Sequence, residues 1–174
     1  MHLTKIETAE IHLCCAIRLF FLGEHPIVVE TLIGAASGVL RGLAKQCNVK
    51  SILHDNNHIT PEYRKEWILM LHEFQNFFKH ADNDPTATIA YEARALHYLT
   101  LEACHLYRHL AADTHLNHRQ LKEALVFEVW FATKYPHLLS DPSGFRDLKD
   151  GFRLESFDPD DFEIIRIALG IKCP

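Results

Sequence analysis

Apolar residues return every three or four positions along five stretches of this chain, and that period admits amphipathic helices packed on one another and little else. The first stretch opens on Thr4-Lys5-Ile6-Glu7. There a threonine hydroxyl and a glutamate carboxylate can satisfy free amides at a helix start reciprocally. Ile6, Ala9, Leu13, Ala16, Ile17, Phe20 and Phe21 follow at helical spacing, and Gly23 ends the run. A second helix starts at His25-Pro26, with Val28, Thr31, Leu32, Ala35, Val39 and Leu43 as its expected apolar stripe. Gly34, Gly38 and Gly42 stand at i, i+4 and i+8 in it. Glycine costs a helix up to about 1 kcal/mol per position, so three in register predict close approach by another helix, within the chain or across a dimer. Glu30 and Arg41 oppose a membrane dimer face.

After a polar connection over 48–59, Thr60-Pro61-Glu62 supplies a cap, a first-turn proline and a first-turn acid for a third helix. Trp67, Met70, Leu71, Phe74, Phe77, Phe78 and Ala81 form a heptad-like stripe expected in its core, and Asp82-Asn83-Asp84-Pro85 stops it. Thr86 to Tyr91 has an extended character. A fourth helix is expected from about Glu92 to Leu110, burying Leu96, Leu99, Ala103, Leu106 and Leu110. A fifth is expected from about Asn117 to Lys134, with Leu121, Leu125, Val129 and Trp130. Residues 140–157 read as irregular, and Asp158-Pro159-Asp160-Asp161 starts a short terminal helix with acids at its positive end. The expected fold is all-α: a single compact bundle of five to six helices over 1–174, with a core bundle over 1–135 and an irregular segment plus a short helix over 136–174.

With 174 residues, 48% of them hydrophobic, the chain can bury a sizeable core without a covalent staple. A net charge of −5 excludes bulk electrostatic capture of nucleic acid and leaves room only for a local RNA contact. The tail over 141–174 holds eight acids and five bases and makes a poor nucleic-acid arm. No apolar run approaches a membrane span, and the N-terminus lacks the layout of a signal peptide. The five cysteines are odd in number and unpaired in spacing. They read as structural, with Cys14-Cys15 buried in the first helix. A cytoplasmic location is the expectation.

Chemistry is expected at the end of the third helix. Asn76 and His80 are four apart and share a face, with Glu73 a turn before and Lys79 adjacent. His80 can act as acid or base near neutral pH, and Asn76 can orient it. His80, Asp82 and Asp84 alternate as imidazole and carboxylates and make a weaker, divalent-metal hydrolase alternative. Otherwise no metal and no cofactor is expected. His54/His58 and His105/His109 are i, i+4 pairs, but thirteen histidines produce about one such pair by chance.

Ala16-Ile17-Arg18-Leu19-Phe20-Phe21, Thr31-Leu32-Ile33-Gly34-Ala35-Ala36, Pro61-Glu62-Tyr63-Arg64-Lys65-Glu66-Trp67 and Asn76-Phe77-Phe78-Lys79-His80-Ala81-Asp82 resemble a bacterial family of small helical proteins without assigned function. The resemblance spans about 5–135 and implies an all-helical domain. Gln75 to His80 also resembles the motif of the HEPN superfamily of helical-bundle ribonucleases, an Arg with a His four to six residues on. Gln75 stands in place of the Arg and supplies no permanent cation. Arg108 to His115 has both ends of the motif. These resemblances imply a helical interaction or dimerisation module, with a homodimer through the second and third helices. The alternative is a metal-independent ribonuclease or toxin component using His80 or Arg108/His115.

Overall fold

A computed structural model describes residues 2–55, 61–79, 84–112, 118–138 and 158–171, and the fold is all-α. Among the described residues six α-helices run in order: α1 (Lys5–Leu22), α2 (Pro26–Gln46), α3 (Arg64–Lys79), α4 (Ala95–Ala112), α5 (Lys122–Lys134) and α6 (Glu163–Leu169). A 3₁₀ turn, Pro136–Leu138, follows α5. No strand occurs among the described residues, and Thr86 to Tyr91 is irregular.

Helix α1 begins with the expected capping box, Thr4 with Glu7, and ends at Gly23 in the left-handed conformation (φ 78°). It packs mainly on α2, which packs in turn on α4. Ile6, Ala9, Leu13, Ala16, Ile17 and Phe21 are buried as expected, and Phe20 is half-buried. In α4 all five expected core residues are buried.

The inward face of α2 is rotated from the expected one. Val29, Ile33, Ala36, Leu40 and Ala44, at i, i+4, i+7, i+11 and i+15, carry the core. Val28 is 49% exposed and Thr31 is exposed. Apolar residues lie on both sides of this helix because α1 and α4 cover it from two directions, so periodicity alone left its orientation open. By length and composition α2 could cross a membrane, contrary to the expectation from the sequence. Here it is packed within the bundle, with Glu30 fully buried on it.

The third helix departs most. Its turn Pro61–Tyr63 precedes it, and Gln75 is its only buried residue among those described. Trp67, Leu71, Phe74, Phe77 and Phe78 are half-buried, and Met70 is 52% exposed. Phe74 and Phe78 gather on Tyr91, with ring centroids 4.9 and 5.7 Å away, in a cluster outside the main core. Helix α5 starts at Lys122, five residues later than expected, after an extended Leu121.

The C-terminal segment completes the core. Ile165 and Leu169 are buried, Phe162 packs on Phe20 and Phe21, and Trp130 Nε1 donates to Pro159 O at 2.8 Å. Phe20, Phe21, Phe127, Trp130 and Phe162 make repeated edge-on contacts. Aromatic pairs of this kind add about 0.5–1.5 kcal/mol each beyond their buried area. Arg18 of α1 bonds Glu123 of α5 at 2.6 Å and reaches Leu169 O, tying three helices at one end. Of the described cysteines, all free, Cys104 is buried, Cys14 and Cys47 are half-buried, and Cys15 is exposed, contrary to expectation.

Candidate functional site

Among the described residues, a dense polar cluster lies where α2, the 48–55 loop, α3 and α4 meet. Arg41 is a charge on the flank of an apolar helix, and burial holds its guanidinium below its ordinary pKa while Glu102 pulls it back up. Its Nη1 lies 2.6 Å from His54 Nε2 and 2.8 Å from His72 Nε2. Nε donates to Ser37 O at 3.3 Å. The two imidazole Nε2 atoms are 3.3 Å apart.

A guanidinium only donates, so both Nε2 atoms must accept and both rings must carry their proton on Nδ1. His54 Nδ1 then faces Ser51 Oγ at 3.2 Å. The Ser51 hydroxyl donates onward to Glu102 Oε1. The hydrogen bonds therefore run one way, from the Arg41 cation through His54 and Ser51 to a carboxylate that is 1% exposed. This order is unlike a nucleophilic triad. Serine and carboxylate both lie on the Nδ1 side of His54, and no base faces Ser51 from Nε2.

Glu102 also accepts the amides of Ile52 and Leu53 at 3.0 and 3.2 Å. Trp67 Nε1 donates to Leu53 O at 2.8 Å, Arg64 Nη2 to His54 O at 2.6 Å, and the Ser51 amide to Asp55 Oδ2 at 2.9 Å. The loop is thus fixed from three helices, and so is His54. Burial, followed by the charges of Arg41, His54 and Lys79, pushes the His72 imidazole below its usual pKa. His72 is therefore neutral at pH 7, as Arg41's donation requires.

The cluster opens to solvent through a cavity of about 430 Å³ lined by Gly38, Arg41, Gly42, Lys45, Ser51, His54 and Asp55, among others. A shallower depression of about 450 Å³ adjoins it, sharing Lys45 and Asp55 and adding Lys50 and Arg64. On a chain of net charge −5 this is a local basic surface. The expected glycine ridge divides here. Gly34 receives Gln75 of α3, while Gly38 and Gly42 meet no neighbouring atom within 4 Å of where a Cβ would lie. Among the described residues, no helix covers the ridge at these two positions.

The sites expected from the sequence are placed differently. Asn76 and Lys79 are exposed on α3, and Asn76 lines an open groove with Asp84. His80, Asp82, His58 and His115 lie outside the described residues. Arg108 Nε approaches Glu128 Oε1 at 3.3 Å, and burial raises that carboxyl to about 7. His105 and His109 have ring centroids 4.5 Å apart with tilted planes, and His105 meets Lys50 O at 3.2 Å. Among the described residues no three His, Cys, Asp or Glu side chains gather as metal ligands.

Sequence reasoning noted Arg41 only as a charge and His54 only as half of a spacing pair, and passed over His72. Arg41 in an apolar helix was the available signal; its partners lie 13, 31 and 61 positions away. No protein-family model matches the chain, nor does any curated protein or solved structure, so the site is read from its own geometry.

Proposed function

We propose that this chain is a helical binding module that receives a phosphate group of its ligand at Arg41, His54 and His72. The observation that carries the reading is that one guanidinium nitrogen and two imidazole nitrogens converge within 3.3 Å, with Arg41 and His54 lining an open cavity and His72 behind them. An entering phosphate replaces the two imidazole acceptors of Arg41 with charged oxygens. Each imidazole, relieved of that donor, can then bind a proton on Nε2 and donate in turn. Lys45 and the adjoining Lys50 and Arg64 supply the favourable field outside.

A second reading is a metal-independent ribonuclease at the same cluster, in keeping with the HEPN-like alternative. Two titratable imidazoles beside a cation favour it. The 3.3 Å between their Nε2 atoms weighs against it. In-line displacement puts base and acid on opposite sides of the phosphorus, whereas both rings here stand on one side of any bound phosphate. Binding is therefore the leading reading. A homodimer through α2 and α3 would fit it by joining two such cavities into one groove. Free thiols at all four described cysteines fit a reducing cytoplasm.

The test is ¹⁵N NMR of the imidazoles during titration with inorganic phosphate at pH 7. The expected result is movement of His54 and His72 toward the protonated form, absent in Arg41→Gln. Resonances that move in the wild type neither with phosphate nor with a single-stranded RNA would overturn the reading.

A further inference from the structure

Helix α3 has two apolar stripes. Trp67, Leu71, Phe74 and Phe78, at i, i+4, i+7 and i+11, lie half-buried toward the bundle. The second stripe faces away. Met70 and the half-buried Phe77 stand seven apart on it, with Leu69 beside them; Leu69 and Met70 are 57 and 52% exposed, and Tyr63, 64% exposed in the turn before the helix, continues the same interval. A seven-residue repeat is the spacing by which one helix packs along another, and a helix that only covered its own core would carry polar residues here.

This outer stripe forms one wall of a groove of about 920 Å³, with Ile89 on the opposite wall. Every charged residue lining the groove among those described is an acid. Glu66 and Glu73 stand one heptad apart along the stripe, and Asp84 faces them from across. Exposed methionine and leucine between carboxylates make an adaptable apolar seat inside a negative rim.

We propose that this groove docks a basic amphipathic helix of another protein, its apolar face on Met70 and Phe77 and its lysines or arginines on Glu66, Glu73 and Asp84. Charge selects the occupant. A second copy laid face to face would set Glu66 and Glu73 against the same carboxylates, and like charges at such a rim oppose pairing. A basic helix gains three ion pairs there instead. The groove lies on the side of α3 away from His72 and Gln75, so the inference is independent of the phosphate site.

The probe is a fluorescein-labelled amphipathic peptide of about 18 residues, long enough for five helical turns, with a leucine face and a lysine face. A leucine–glutamate peptide of the same pattern is the control. The expected result is saturable anisotropy binding of the lysine peptide only. Glu66→Lys with Glu73→Lys should weaken it at least tenfold, as should Met70→Ser, while the distant Glu24→Lys leaves it unchanged. Several results would overturn the proposal. These are no saturable binding, equal binding of the glutamate peptide, or equal weakening by Glu24→Lys. A wild-type dimer in sedimentation that Met70→Ser dissociates would assign the face to a second copy. A loss of stability in Met70→Ser as large as that of a buried-core substitution would show the face already covered by this chain.

Discussion

The carboxamide of Gln75 lies over the backbone of Gly34, so close that a β-carbon on the glycine would sit 2.7 Å from Gln75 Cδ and 2.9 Å from its Oε1. One buried glutamine thereby seats α3 on α2, and its packing opposes any side chain at Gly34. Gly34→Ala gains helix propensity of about 1 kcal/mol but forces a buried amide aside at about 1–3 kcal/mol. We expect a net loss of roughly 1 kcal/mol in urea unfolding. In a Gln75→Ala background the same substitution should be neutral or stabilising. Equal effects in both backgrounds would show that the contact carries no energy.

Gly38 and Gly42 have no such neighbour. Gly38→Ala and Gly42→Ala should each stabilise the monomer by up to about 1 kcal/mol. If the ridge instead seats a second copy, sedimentation at raised protein concentration will show an association that these alanines weaken.

The contrast among these glycines illustrates what a sequence of this kind discloses. The helices of the bundle and the buried positions of α1 and α4 were legible because one apolar face repeats at 3.6 residues and each end carries its own chemistry, as at Thr4 and Glu7. The orientation of α2 was not, since it is apolar on two sides and only its neighbours choose between Val28 and Val29. The third helix misled for a related reason. Its two stripes read as one broad core face, and nothing local separates Phe74, which turns inward to Tyr91, from Met70, which does not. The polar cluster was least legible of all, because Arg41, Ser51, His54, His72 and Glu102 come from separate segments and only the fold makes them neighbours.

His97 gives a pH dependence with a definite sign. Burial, with smaller contributions from Lys134 and Arg94, lowers its pKa to about 4 from an ordinary 6.5. The unfolded chain therefore binds a proton that the folded chain refuses between these values. His97's contribution is present in full above about pH 6.5 and is lost as pH falls toward 4. A loss on the order of 2 kcal/mol is expected across that window. His97→Phe should flatten the stability profile between pH 6.5 and 4; an unchanged slope would contradict this account of its burial.

Glu102 holds the 51–54 loop by accepting from the Ser51 hydroxyl and the Ile52 and Leu53 amides. Glu102→Gln leaves one carbonyl oxygen for three donors and places an amide group against them. Each buried donor left unpaired costs about 1–3 kcal/mol. We expect destabilisation in that range by thermal unfolding, with the imidazole of His54 losing its fixed orientation in NMR. Retained stability would mean that the loop is held elsewhere.

The central claim, that Arg41, His54 and His72 receive a phosphate group, is tested most directly by fluorescence anisotropy of a labelled single-stranded RNA. Its partners are the same sequence on an uncharged backbone and inorganic phosphate as competitor. A charged hydrogen bond of about 1.5–3 kcal/mol corresponds to at least a tenfold change in affinity. The account predicts saturable binding of the RNA, none of the neutral analogue, and at least tenfold weakening in Arg41→Gln. Competition by millimolar phosphate would identify a phosphate monoester as sufficient, and its absence a strand of diesters. Binding that survives Arg41→Gln unchanged, or no saturable binding of either RNA or phosphate, would contradict it.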